Sequence, residues 1–355
     1  MSIKIELKGE KMILRNSKCK ILLLGLLFLG AANLSIKGCS SSGKKQSNMV
    51  VLADLPMLDD PYYIVIPVTI NSRQYRFIID TASGNTIVDS KLKSLLGDFV
   101  KKEKRPVTPK QKQVDFEFYN FPKQFEIGSL NLKGTIACFD LCVAGLPPDY
   151  NYDGIIGMNL LYDEVLQLDI ENKCVRLLRW RKTASQNTED FRQKWGHPVQ
   201  IIKNEAGWPQ INLNLTDTIT ELFLVDTGLS AHNRLRESTF DKLKGLDGIE
   251  YYKYSKQQMG ALVREQGLSL INPSDLEETE VVFISQAPLP GIDLPNLCFE
   301  KKHVSILGIK FVRLFKMMTF DFKNSRLYLK PVPVEVKRYK DTGDTLNIKR
   351  QMRNN

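Results

Sequence analysis

Residues 62–77, YYIVIPVTINSRQYRF, alternate apolar and polar side chains with a period of two, and so do residues 209–223, PQINLNLTDTITELF. That period predicts half-buried β-strands with one face on a core. Each stretch leads into an apolar segment that stops on an aspartate, FIIDTASGNTIV at 77–88 and ELFLVDTGLSAHNRL at 221–235. An apolar-apolar-glycine element follows each aspartate. It is DGIIGMNLLYDEV around Gly157, 77 residues after Asp80, and VSILGIKFVRLFK around Gly308, 82 residues after Asp226. A pair of apolar runs closes each set, LQLDIENKCVRLL and MTFDFKNSRLYLK, in which Asp169 matches Asp321 and Asn172 matches Asn324. These predict two β-hairpins with two-residue turns. The chain thus carries one strand-rich unit twice, at 61–180 and 198–332, joined by a polar linker at 181–197. A long unit present twice is a duplicated domain, since a solenoid needs three or more short repeats.

Taken alone, Asp80 has two explanations. Asp and Ser favour turns through side-chain hydrogen bonds to the backbone, or Asp80 is half of a catalytic pair. The matching loop at Asp226 supplies the other half. This order of features resembles the aspartic proteases of the retropepsin and pepsin type. It rests on two Asp-Thr loops, two apolar-apolar-Gly elements and the closing hairpins. EIGSLNLKGTIACFDL at 126–141, leading into YDGIIGMNLL, looks especially like the bacterial periplasmic members. A third Asp-Thr-Gly at Asp341 sits in a charged tail, 333–355, with no strand before it and no glycine element after it, and counts as chance.

The resemblance implies an all-β fold, with two similar acid-protease β-barrel lobes in one chain and the active site between them. It implies an aspartic endopeptidase that needs no metal or cofactor and acts as a monomer on a peptide or protein substrate. Asp80 and Asp226 would form the dyad. Thr81 and Thr227 would hydrogen-bond across the two loops, with Ser83 and Gly228 also supporting the dyad. Gly157 and Gly308 would be structural glycines that let each loop pack tightly. A flap hairpin would come from 106–125. Tyr119 is the tempting flap aromatic, but a core or surface role suits it better. The physical reason for two lobes is direct: two carboxylates a few ångströms apart cannot both ionise, so they share a proton and supply both base and acid.

Two positions depart from the family pattern. The first loop reads Asp80-Thr81-Ala82-Ser83, with Ala for Gly; the second reads Asp226-Thr227-Gly228-Leu229, with Leu for a small residue. Ala82 adds a methyl where the loops approach closely. The alternative function is therefore a catalytically inactive lipoprotein of the same fold that binds peptides or partner proteins. The asymmetry carries an expectation about protons. A Ser83 hydroxyl donating to Asp80 would favour its charged form, leaving the shared proton on Asp226 and an optimum between about pH 4.5 and 6.5.

Composition bounds the setting. The chain has 355 residues, 43% hydrophobic and 25% charged, as globular proteins are. The net charge of +10 falls to +5 without residues 1–38, which carry seven Lys/Arg and two acids. With no basic stripe interleaved with aromatics, nucleic-acid binding is not expected. ILLLGLLFLGAA at 21–32 is too short to span a bilayer and fits a signal-peptide core. Ile36, Gly38 and Cys39 resemble a bacterial lipobox, although Lys37 departs from it. This implies a signal at 1–38, lipidation of Cys39, a tether at 39–60 and anchoring in the cell envelope, at the outer membrane facing the periplasm. Met12 offers an alternative start. Cys138, Cys142, Cys174 and Cys298 match no zinc spacing, and either a Cys138–Cys142 disulfide or free thiols would fit. His197, His232 and His303 sit apart, without a partner for metal or nucleophile chemistry.

Overall fold

The computed structural model describes residues 3–7, 10–14, 48–106, 113–130, 132, 134–144, 146, 151–181, 188–230, 233–255, 279–289 and 292–332. Cys39, the apolar run 21–32, His232 and the tail with Asp341 lie outside them. Two units divide the chain, 1–47 and 48–355. In the first, Ile3–Leu7 pairs antiparallel with Glu10–Leu14. Among the described residues no helix is long and apolar enough to cross a membrane.

The second unit is mostly β, with three open sheets. Four strands of the first half form the centre of one sheet: β1 (Val65–Ile70), β2 (Arg73–Ile79), β3 (Ile87–Asp89) and β4 (Gly154–Ile156). Four of the second half form the centre of another: β5 (Pro209–Asn214), β6 (Thr220–Val225), β7 (Asn233–Arg236) and β8 (Ile306–Leu307). The order is β1-β2-β4-β3 in one and β5-β6-β8-β7 in the other. β1–β2 and β5–β6 are antiparallel, β2–β4 and β6–β8 parallel, and β4–β3 and β8–β7 antiparallel. In each sheet a hairpin extends the order beyond the last strand. In the first half Phe99–Pro106 pairs with Gln113–Asn120, so the hairpin begins earlier than the expected 106–125. Tyr119 is buried in the core and its hydroxyl donates to Glu117 at 2.6 Å, away from any flap tip.

The third sheet joins the halves. Val165–Asp169 pairs with Phe315–Asp321 across the duplication, and each pairs outward with its own hairpin partner, Cys174–Trp180 and Arg326–Pro331. Its loops correct the expected two-residue turns. Asp169 pairs with Cys174 and Asp321 with Arg326, leaving four residues in each loop. The Asp carboxylates accept the Asn172 and Asn324 amides at 3.0 and 3.1 Å, and the fourth loop residues, Lys173 and Ser325, take positive φ of 50° and 52°. A capped turn followed by a left-handed residue thus replaces the tighter turn.

Two expected boundaries shift as well. Within the tether assigned to 39–60, Met49–Pro56 forms the sheet's edge strand against Cys174–Trp180, burying Met49, Leu52 and Ala53. Within the linker assigned to 181–197, Thr188–Trp195 is helical and buries Phe191 and Trp195 against Met49, Met317 and Tyr328. The lipobox resemblance and the Ser/Gly/Lys run at 40–45 make the first segment read as a tether, although MVVLADLP at 49–56 carries one charge; in the second, charged residues suggest a connector, while Phe191 and Trp195 among them have a core to enter. Cys138, Cys142, Cys174 and Cys298 form no disulfide.

Candidate active site

β2 and β6 end on Asp80 and Asp226, whose amides donate to the carbonyls of Ile156 and Leu307 at 3.0 and 2.9 Å. Each aspartate therefore leaves its sheet at the parallel junction with β4 or β8, where a ladder hydrogen bond still fixes its backbone. The two loops meet through their threonines. The Thr81 hydroxyl donates to Val225 O at 2.6 Å and accepts the Thr227 amide at 3.2 Å. The Thr227 hydroxyl donates to Ile79 O at 2.7 Å and accepts the Thr81 amide at 3.1 Å. Both threonines are fully buried, so all four donors are satisfied by the opposite half.

The two carboxyls lie close enough to bias each other's protonation. Each also accepts the amide two residues on, Ala82 N to Asp80 and Gly228 N to Asp226, both at 2.8 Å. Burial pushes the Asp80 carboxyl up, against the backbone amides of Ala82 and Ser83. Burial, then the neighbouring charge of Asp80, pushes Asp226 up. One proton is thus retained well above the ordinary carboxylate range.

Gly157 and Gly308 sit beneath the loops. A Cβ on Gly157 would overlap the Asn85 carbonyl, and one on Gly308 would meet the Leu229 carbonyl oxygen at 2.6 Å. Their backbones are extended, so what they provide is space rather than an unusual φ. Just after them, Met158 N donates to Ser83 O at 2.7 Å and Ile309 N to Leu229 O at 2.9 Å. Leu229 thus takes the same backbone role as Ser83. At Gly228 a Cβ would overlap the Asp80 carboxyl. Ala82 occupies the matching position in the other loop and keeps the amide donor that a glycine would supply.

One sequence-based expectation fails. The Ser83 hydroxyl donates to the Asn85 carbonyl at 2.8 Å, not to Asp80. It closes its own turn, the local bonding to the backbone that serine favours. The Ser83 amide donates to the Asp80 main-chain carbonyl at 3.4 Å.

Several residues at the site escaped the sequence. Thr86 Oγ1 accepts the Gly157 amide at 3.2 Å and Asn233 Oδ1 the Gly308 amide at 3.0 Å, so Thr86 and Asn233 are equivalents. Continuing each strand ladder two steps past its last pairs sets Tyr63 level with Asp80 and Trp208 level with Asp226. The Tyr63 hydroxyl lies beside Ser230, and burial, then the charges of Asp60, Asp80 and Asp226, push its pKa up. The backbone of Tyr63 is held by the buried Asp60 carboxylate, which accepts its amide at 2.9 Å, the Tyr152 hydroxyl at 2.9 Å and Arg76 Nη2 at 3.1 Å. Arg313, from the second half, donates to Asp60 O and Pro61 O at 3.0 and 2.6 Å. Trp208 leans toward Gly84, but its buried Nε1 has no hydrogen-bond partner. Thr86 lies six residues after its aspartate and Asn233 seven, and Tyr63 lies seventeen before and Trp208 eighteen, so an ungapped alignment of the repeats hides both equivalences.

Among the described residues no group of three or more His, Cys, Asp or Glu could hold a metal. No protein-family model matches the chain, and no curated protein matches it.

Proposed function

We propose that the chain is an aspartic endopeptidase of the retropepsin and pepsin type, built from two acid-protease lobes with Asp80 and Asp226 as its dyad. The observation that carries this reading is the reciprocal Thr81–Thr227 bonding, which clamps two duplicated loops and supports a pair of neighbouring carboxyls that share one proton. An ionised carboxylate takes a proton from water as the oxygen attacks the scissile carbonyl carbon. The protonated partner gives its proton to the carbonyl oxygen. As the resulting diol collapses, one of its hydroxyls returns a proton to the partner carboxyl, the C–N bond breaks, and the proton taken from water passes to the leaving amine. The Ala82 amide remains in place on Asp80, which supports turnover despite the missing glycine.

Incubating the purified protein with denatured casein at pH 4–7, beside Asp80→Asn, tests the reading. Cleavage by the first and not the second is expected; no cleavage by either would leave a peptide-binding protein of the same fold. The proposed setting is the cell envelope, with Cys39 lipidated. Cys39→Ser is expected to abolish palmitate labelling and release the protein from membranes, since two or more acyl chains anchor stably where one is marginal.

A further inference from the structure

The two halves match so closely that a mismatch at the cleft stands out. Thr86 and Asn233 perform the same task for Gly157 and Gly308, so the residues after them, Ile87 and Arg234, occupy equivalent positions on β3 and β7. Ile87 is buried in an apolar cluster with Tyr63, Ile78, Phe116 and Phe118, the cluster that carries Tyr63 level with Asp80. On β7, Asn233 and Leu235 are buried, while Arg234 is half-buried on the opposite face.

We propose that Arg234 is a specificity-determining residue beside the dyad, which takes an acidic substrate side chain against the second half, where the first half has the core residue Ile87. This rests on the endopeptidase reading and names its substrate class.

Three observations carry it. Arg234 Nε is buried without a hydrogen-bond partner, and among the described residues no carboxylate forms an ion pair with the guanidinium. The carboxylates nearest along the sheet are engaged elsewhere: Glu300, its neighbour on the adjacent strand, with Lys302 at 3.0 Å, and Glu221 with Arg236 at 2.8 Å. A guanidinium half-removed from water and lacking a carboxylate is costly in the free protein, and an incoming carboxylate would relieve that cost with a planar, two-pronged hydrogen-bond pair. The positive charge of Arg234 also lowers the proton affinity of Asp226, which puts it within electrostatic reach of the dyad.

The test is a cleavage profile of the full-length protein on a proteome-derived peptide library, read by mass spectrometry, beside Arg234→Ile, which copies the first half, and Arg234→Glu. Circular dichroism checks that each is folded; if Arg234→Ile is not, Arg234→Gln replaces it. The expected result is enrichment of Asp and Glu at one position near the scissile bond, by about tenfold over Gln and Asn, as a charge-assisted bond in a partly dry site provides. Arg234→Ile should abolish the enrichment and Arg234→Glu invert it to Lys and Arg. Cleavage with no acidic preference, or a preference unchanged in both variants, overturns the proposal and leaves the endopeptidase reading intact. If no peptide is cleaved, that reading fails by itself, and fluorescence anisotropy decides the present one. A labelled Glu-containing library peptide should bind the wild-type protein about tenfold more tightly than its Gln counterpart, and equally in Arg234→Ile; equal binding to the wild type, or none, overturns the proposal.

Discussion

The loop after Asp80 and the loop after Asp226 have the same backbone and different side chains. Both carboxyls accept the amide two residues on at 2.8 Å, and both loops offer a carbonyl to the short helix below. Yet the first carries Ala82 and Gly84 where the second carries Gly228 and Ser230. The consequence is local. Tyr63 reaches across to the Ser230 hydroxyl, whereas Trp208 reaches across to Gly84 and finds no hydroxyl. Backbone hydrogen bonds maintain the duplicated frame, which leaves individual side chains around the dyad free to differ. The family's glycine is therefore required only where its Cβ would strike something. That is so at Gly228, against the Asp80 carboxyl.

The largest effect tests whether the two loops act as one unit. Asp80→Asn and Asp226→Asn should each lower kcat by more than about a hundredfold, with the double variant no worse, because a shared proton needs both carboxyls. A single variant retaining a tenth of the activity would show that one loop works without the other.

Next comes the glycine asymmetry. Gly228→Ala should lower kcat on the order of a hundredfold, because Asp80 must move to admit the methyl. Ala82→Gly should change kcat by less than about threefold, since the amide already holds Asp80 and a single methyl at a tolerated site is a small change. Equal losses at both positions would make the loops symmetric after all.

The raised carboxyls predict a stability effect whose sign is fixed. A carboxyl whose pKa is raised by folding favours the native state while protonated, and that advantage is lost as pH rises from about 4 through the folded value. Asp226→Asn removes the cost of ionising in a dry site. Its Tm should therefore exceed that of the wild type at pH 7–8, with the gap closing by about pH 4. Thermal melts across that range would contradict this if the gap were constant or reversed.

The smallest effects compare the two crossing aromatics. Tyr63→Phe deletes a hydroxyl that has Ser230 beside it and should cost about 1 kcal/mol in denaturant melts, whereas Trp208→Phe deletes an unsatisfied donor and should cost less or stabilise. Gly84→Ser should sharpen the contrast by giving the Trp208 indole N–H a partner; the nearest approach of a Cβ there, 4.0 Å, leaves room for it. Ser83→Ala should alter the acid limb of activity only slightly, because the Ser83 hydroxyl is turned to Asn85.

Much of this was legible in the chain. The period-two stretches, the repeated aspartates and the glycine elements are local signals, and each survives as a strand, a loop or a close approach. Thr81 and Thr227 were legible too, because only their position in a doubled motif was needed. The edge strand at 49–56 was not, although MVVLADLP carries a single charge, because the lipobox resemblance assigns it to a tether; nor was the helix at 188–195, because Phe191 and Trp195 are few among charged neighbours and their burial depends on a sheet made elsewhere. The direction of the Ser83 hydroxyl was not either, since a rotatable group selects among acceptors by distance.

The sequence by itself determined that one strand-rich unit occurs twice and that each copy ends a strand on Asp-Thr, because periodicity and spacing are written residue by residue. Only the tertiary structure decided which side chains meet across the copies. Tyr63 with Ser230, Trp208 with Gly84 and Arg313 with Asp60 are separated by 124 to 253 residues, and a contact at that range is set by how two sheets pack rather than by any local preference.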